Sequence, residues 1–156
     1  MNFPQSIRTC FKKYAVFKGR ATRSEFWWFQ LFLVAIEFLA VCIDSLLLGY
    51  SWADDMTPMV ILTDIALIVP MAAVTARRLH DVGMSGWFQI PMLMSYLYYL
   101  ELIWPNMFDY TAVTVVLIAI VIYLVWLLIK LIKDSDLHGN RHGPSPKSEG
   151  VAEAFS

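Results

Sequence analysis

The sequence has little charge and almost no cysteine. Only 16% of its residues are Asp, Glu, Lys or Arg, whereas 58% are hydrophobic and the mean hydropathy is +0.57. This composition lies outside the usual range of globular domains and indicates that water is not the main solvent of the chain. The two cysteines, Cys10 and Cys42, are too isolated to form a disulfide framework or a metal-binding pair, and we expect both to be reduced.

Signatures of catalysis and of metal binding are also missing. His80 and Asp81 are adjacent in sequence, so they do not face each other on a helix, and no activated nucleophile accompanies them. A zinc site near the end of the chain would lack a cysteine or a third nearby histidine to complete its candidate ligands, which are Asp134, Asp136, His138 and His142. The sequence therefore predicts no metal, no cofactor and no enzymatic activity, and no nucleic-acid recognition module is visible.

Long apolar runs are the dominant feature of the chain. A helix needs about 20 mostly apolar residues to cross the ~30 Å hydrocarbon core of a bilayer. Four runs qualify, at approximately 25–49, 59–76, 87–104 and 112–132. They predict an all-α integral membrane four-helix bundle whose transmembrane domain covers residues 25–133.

Lysine and arginine are absent from two of the three loops between these runs. All twelve lie before the first run, between the second and third, or from the end of the fourth onward. The other two loops, 50–58 and 105–111, carry acidic residues and no basic ones. Because cytoplasmic loops retain Lys and Arg, we predict that both ends of the chain face the cytoplasm.

The two end segments differ in character. In residues 1–24, apolar side chains recur at helical spacing between basic residues, at Ile7, Cys10, Phe11, Tyr14 and Phe17. This pattern predicts an N-terminal interfacial amphipathic helix, with a disordered basic tail as the alternative. Residues 134–156 form a polar cytoplasmic tail, and we expect 147–156 to be disordered.

Carboxylates interrupt the predicted spans at Glu37, Asp44, Asp64 and Glu101. An ionised carboxylate at the centre of a membrane helix costs at least ~2.5 kcal/mol, and no Lys or Arg lies mid-span to pair with these four. One hypothesis is a proton- or cation-binding site in a small transporter or channel subunit. The other is that Asp44, Asp64 and Glu101 reach water at the outer surface while Glu37 is protonated and bonded to a neighbouring helix.

Three stretches of the chain resemble the domain of unknown function 805 family of small bacterial inner-membrane proteins. They are FKGRATRSEFWWF at 17–29, RRLHDVGMSGW at 77–87 with Pro91 beyond it, and GNRHG at 139–143. The resemblance spans about residues 11–146. Met84 and His142 depart from it, since a basic and an aromatic residue are common at these positions, and the family's usual glycine-threonine pair is missing before the third stretch. The resemblance implies a helical protein of the bacterial inner membrane and supplies no activity, substrate or cofactor.

The three stretches share the cytoplasmic face on the predicted topology. Their polar residues are expected to form one layer, made of Arg20, Arg23, Glu25, Arg77, Arg78, His80, Asp81, Asn140 and Arg141. This layer either clamps the helices through pairs such as Arg23 with Asp81, or uses its excess of arginine to bind a lipid headgroup or a protein partner.

The function that we favour is non-enzymatic binding of lipid, or of a membrane-protein partner, at the cytoplasmic face, by a single chain or a homo-oligomer. A small ion- or proton-coupled transporter is the second hypothesis, and a membrane enzyme acting on lipid is the third.

Overall fold

A computed structural model describes residues 1–51, 54, 57–94, 110–135 and 138–146. The regular elements within these ranges are five α-helices and one 3₁₀ helix: α1 (Phe3–Lys12), α2 (Arg23–Leu48), α3 (Pro58–Asp81), the 3₁₀ helix Gly86–Gln89, α4 (Ile90–Met94) and α5 (Tyr110–Ile132).

Three of the described helices are long and apolar enough to cross a membrane. They cover Arg23–Leu48, Pro58–Asp81 and Thr114–Ile132, which correspond to the first, second and fourth predicted spans. The structure therefore confirms an all-helical chain with long apolar helices over the described residues. The short helix α4 lies within the predicted third span, and positions 95–104 of that span lie outside the described residues.

Helix α1 begins at a capping box. The Asn2 side chain accepts a hydrogen bond from the Gln5 amide, and the Gln5 side chain accepts one from the Asn2 amide, so two free backbone donors are satisfied. Ser6 and Cys10 are buried against α2, whereas Phe11 on the same helix is 40% exposed. The helix is shorter than the predicted pattern, because Lys12 is its last residue.

Helix α3 ends in a glycine turn that brings the next segment back against it. Gly83 has φ +77°, a left-handed conformation that glycine adopts at little cost, and the Met84 amide bonds to the Leu79 carbonyl oxygen at 2.9 Å. Gly86 then lies against α3, where an added Cβ atom would be 2.9 Å from the Cβ of Ala76. Two small residues thus permit the close approach of the 3₁₀ helix to α3.

The buried core lies where the start of α2, the end of α3 and the end of α5 meet. Its members are Cys10, Ala21, Phe26, Phe29, Val74, Leu79, Leu127 and Leu131. Away from this end, α2 carries exposed apolar residues such as Leu46 and Leu47, each 76% exposed. Such surfaces suit a hydrocarbon solvent, where a helix satisfies its own backbone groups.

Candidate functional site

Beside the core lies a buried ionic cluster, here called the arginine layer, formed by Arg20, Glu25, Arg77, Arg78 and Asp81. Arg77, Arg78 and Asp81 are 0% exposed. The residues come from the turn before α2, the first turn of α2 and the last turn of α3. A hydrogen bond from the Ala21 amide to the Arg77 carbonyl oxygen, at 3.1 Å, holds the turn before α2 against the end of α3.

The Asp81 carboxylate forms ion pairs with two arginines. Arg20 donates through Nε to Oδ1 of Asp81 at 2.9 Å, and Arg78 donates through Nη1 to Oδ2. The predicted pair of Arg23 with Asp81 is therefore wrong. Arg23 is an exposed residue at the start of α2 and pairs with Asp134 at 2.8 Å, because the turn before α2 brings Arg20, and not Arg23, to the end of α3.

Arg77 connects three segments through one guanidinium group. Its Nη2 donates to Oε1 of Glu25 at 2.9 Å, and its Nη1 donates to the carbonyl oxygens of Lys13 at 3.1 Å and Val16 at 2.7 Å. Burial, with a smaller contribution from Glu25, raises the pKa of the neighbouring Cys10 thiol to about 12. Cys10 therefore stays protonated and unreactive at neutral pH.

Backbone carbonyl oxygens accept further hydrogen bonds from the arginine layer, whose three guanidinium groups face only two carboxylates and so leave one net positive charge. Arg78 donates to the carbonyl oxygens of Leu131, at 3.0 Å, and Lys133. Arg20 donates to the carbonyl oxygen of His138 at 3.0 Å. The carbonyl groups at a helix C-terminus carry partial negative charge, so the end of α5 is a suitable counterpart for Arg78.

Residues 138–146 dock on the arginine layer as a tight turn. Asn140 and Gly143 bond to each other through their backbones at 2.9 and 3.1 Å, and the Asn140 side chain donates to the His80 carbonyl oxygen at 2.9 Å. The imidazole rings of His80 and His142 stack with centroids 3.9 Å apart. Burial lowers the pKa of His142, and His80, Arg141 and Arg20 lower it further.

Of the nine residues predicted for one polar layer, five form the buried arginine layer, and His80 and Asn140 are half-buried beside it. The other two, Arg23 and Arg141, are exposed at its rim. Sequence reasoning did not identify the acceptors at Lys13, Val16, Leu131 and Lys133, because a backbone carbonyl group has no side-chain signal. Within the described ranges, no group of three His, Cys, Asp or Glu side chains is placed to hold a metal ion.

Of the predicted intramembrane acids, Glu37 on α2 and Asp64 on α3 lie close enough to interact electrostatically. Asp44 is 1% exposed and accepts hydrogen bonds from the Met59 and Val60 amides at 3.0 and 3.2 Å, so it caps the start of α3 and does not reach water. Thr63 of α3 donates to Glu37 at 3.4 Å, as expected for an acid bonded to a neighbouring helix. Asp64 is exposed on α3, and Glu101 lies outside the described residues.

An apolar groove of about 390 Å³ lies between α2 and α5, next to the arginine layer. Its walls include Phe26, Trp27 and Gln30 from α2, and Leu124, Val125 and Leu128 from α5. The groove could not be predicted from the sequence, because both helices are apolar around most of their circumference.

Long apolar helices joined at one end by a buried ionic layer define a helical membrane protein. The chain belongs to the family described as Protein of unknown function (DUF805), which matches residues 14–144. It is similar to Inner membrane protein YhaH of Escherichia coli (strain K12), with 33% identity over 92 residues, covering 59% of this chain and 75% of that protein. Inner membrane protein YhaI of the same strain is 32% identical over 92 residues, covering 59% of this chain and 74% of that protein. No solved structure matches the chain.

Proposed function

We propose that the protein is a non-enzymatic, multi-pass protein of the bacterial inner membrane that binds anionic phospholipid at the end of its helices carrying the arginine layer. The observation that carries this proposal is a division among the basic residues. Arg20, Arg77 and Arg78 are buried and bonded within the protein, whereas eight others around them are exposed or half-buried: Arg8, Lys12, Lys13, Lys18, Arg23, Lys130, Lys133 and Arg141.

The eight exposed or half-buried basic residues, here called the outer set, support binding of a lipid headgroup. The three buried arginines instead support a role in holding the helices together. Asp134 is the one exposed acid beside the outer set in the part of the chain that the structure describes. Each Lys or Arg close to an anionic membrane surface contributes about 1 kcal/mol of attraction. Arg77 and Arg78 have no surface to offer a phosphate, so the headgroup contact predicted for them is reassigned to the outer set.

The membrane arrangement that we propose has four spans, with both ends of the chain in the cytoplasm and α1 at the membrane surface. The outer set would then face the anionic inner leaflet. Exposed Phe3 and Phe11 beside Arg8 and Lys12 suit the boundary between headgroups and hydrocarbon. A green fluorescent protein fused after residue 156 should fluoresce in cells, whereas an alkaline phosphatase fused there should be inactive; the reverse result would overturn this orientation.

Native mass spectrometry of the detergent-purified protein, exchanged into equal amounts of phosphatidylglycerol and phosphatidylcholine, tests the lipid proposal. The wild type should retain more phosphatidylglycerol. Changing Lys12, Lys13 and Lys18 together to Gln should reduce that preference by up to roughly fivefold per residue. The matched triple Lys→Arg variant keeps the charges and should retain the preference. Equal retention of the two lipids by the wild type would overturn the proposal.

A further inference from the structure

The geometry points to a defined binding site for one anionic phospholipid, with an acyl chain in the groove between α2 and α5 and its phosphate at Arg23. This inference rests on the proposed function for the class of ligand. It adds a specific place and a specific set of contacts, which the general attraction of basic residues to a membrane does not provide.

The groove suits a hydrocarbon chain. Its volume of about 390 Å³ falls within the ~300–1,000 Å³ range of small-molecule pockets. Val121, Val125 and Leu128 line it and are 58%, 54% and 43% exposed, so it opens onto the lipid-facing side of α5. All the lining residues from α5 are aliphatic, and no charged side chain is among the described lining residues, so the groove offers mainly apolar contacts. An acyl chain suits such a lining, and the cation of Arg23 near its end favours a phospholipid over an apolar helix of a partner or of a second copy.

The polar side chains along one face of α2 are arranged in the same order as the phosphate, interfacial and ester groups of a phospholipid. Arg23, Trp27 and Gln30 are spaced i, i+4 and i+7, so they share one face of the helix. At 1.5 Å per residue, Gln30 lies about 10 Å below Arg23 along the helix axis. From the start of α2 onward, the order is thus Arg23 as a cation for the phosphate, Trp27 at the interface and Gln30 next to the apolar lining residues.

Gln30 provides the second indication of a ligand. Gln30 is a half-buried residue that lines the groove, and its side chain makes no hydrogen bond with the residues that the structure describes. Thr75, the other polar residue among the described lining residues, already donates to the Met71 carbonyl oxygen at 2.8 Å. An amide donor in an apolar wall gains from an acceptor, and the ester carbonyl group of an acyl chain supplies one.

Arg23 is accessible to a phosphate although it pairs with Asp134. The side chains of Arg23 and Asp134 are 45% and 71% exposed, and exposed pairs of this kind are weak. A phosphate oxygen therefore replaces the carboxylate at little cost. Because Trp27, one turn further along α2, lines the groove, a phosphate at Arg23 lies at the mouth of the groove.

Native mass spectrometry at increasing collision energy tests the site, with phosphatidylglycerol as the probe. The wild type should keep one lipid at energies that remove the others. Val125→Trp fills the groove and should lose that lipid. Val116→Trp is the control, because Val116 is on the same helix and is 56% exposed but does not line the groove. Gln30→Leu and Arg23→Gln should each release the lipid at lower energy than the wild type, without filling the groove.

Equal retention of the last lipid by Val125→Trp and Val116→Trp would overturn the site. If Val125→Trp does not fold, judged by circular dichroism and size-exclusion chromatography, unchanged retention by Gln30→Leu and Arg23→Gln would overturn it instead. A wild type that prefers phosphatidylglycerol but holds no groove-sensitive lipid would refute the site and leave the proposed function standing. A groove-sensitive lipid without preference for phosphatidylglycerol would refute the proposed function and the anionic character of the ligand at this site.

Discussion

The hydroxyl group of Tyr14 donates a hydrogen bond to the carbonyl oxygen of Ala66, in the middle of α3. This carbonyl group would normally accept from the amide four residues later, but that position is Pro70, which has no amide hydrogen. In a membrane, a backbone group freed by proline needs a substitute partner. Tyr14 supplies one, and it fastens the segment after α1 to α3.

Tyr14→Phe should therefore lower the free energy of unfolding by about 1 kcal/mol. In a Pro70→Ala background the same change should have no effect, because the alanine amide can restore the helical hydrogen bond. Thermal unfolding of the four detergent-purified proteins in a double-mutant cycle measures this coupling. Tyr50→Phe serves as a control, since Tyr50 is similarly exposed, at 40% against 39% for Tyr14. An equal loss in both backgrounds would contradict the pairing.

Asp81 and Asp134 allow a direct comparison of a buried and an exposed partner of arginine. Asp81→Ala leaves Arg20 and Arg78 buried without their carboxylate and should destabilise the protein by about 3–5 kcal/mol. Asp134→Ala removes the exposed partner of Arg23 and should cost less than about 1 kcal/mol. The midpoint of thermal unfolding, followed by near-UV circular dichroism, should show the difference. Similar midpoints for the two variants would contradict the clamping role of the arginine layer.

The docked turn should weaken at acid pH. His142 accepts a hydrogen bond from Arg141 through Nε2 at 3.0 Å, so the docked state holds the imidazole neutral. Its folded pKa lies below the ordinary value of 6.5, and the undocked state therefore binds more protons. The contribution of His142 to the stability of the docked turn is therefore fully present above pH 6.5 and is lost progressively as the pH falls below that value.

Hydrogen-exchange protection factors of the Asn140 and Gly143 amides, compared at neutral and acid pH, measure this effect. Protection should fall as the pH is lowered through the range of His142. His142→Tyr keeps a ring against His80 without an imidazole at this position, and it should retain more of its protection at acid pH. Identical pH dependence in the two proteins would show that His142 is not responsible.

Gly86 should not tolerate a larger side chain. In Gly86→Ala, the new Cβ atom would lie 2.9 Å from the Cβ of Ala76, so the 3₁₀ helix would have to move away from α3. We expect a loss of about 1–3 kcal/mol by thermal unfolding, as for other overpacked sites. Gly139→Ala is the matched control, since its nearest neighbour would be 3.8 Å away. A Gly86→Ala variant as stable as this control would contradict the close packing.

The sequence was sufficient to locate long helices, because continuous hydropathy does not depend on tertiary contacts. The helix that contains the second predicted span continues beyond position 76 to Asp81, since Arg77 and Arg78 form ion pairs inside the protein. The residues of the arginine layer could be grouped from the distribution of basic residues between loops. The arginine that pairs with Asp81 could not be predicted, because the pairing depends on how the segment before α2 lies against the end of α3.

The acceptors of the arginine layer are scattered along the whole chain, and this has a consequence for biosynthesis. Arg20 and Arg78 emerge from the ribosome well before Lys133 and His138, whose carbonyl oxygens they require. Until α5 has been inserted and the turn at 138–146 has emerged, these two arginines lack part of their final environment. A chain stalled at that stage would present unsatisfied cations to the insertion machinery and to proteases, which provides a basis for distinguishing finished from unfinished copies.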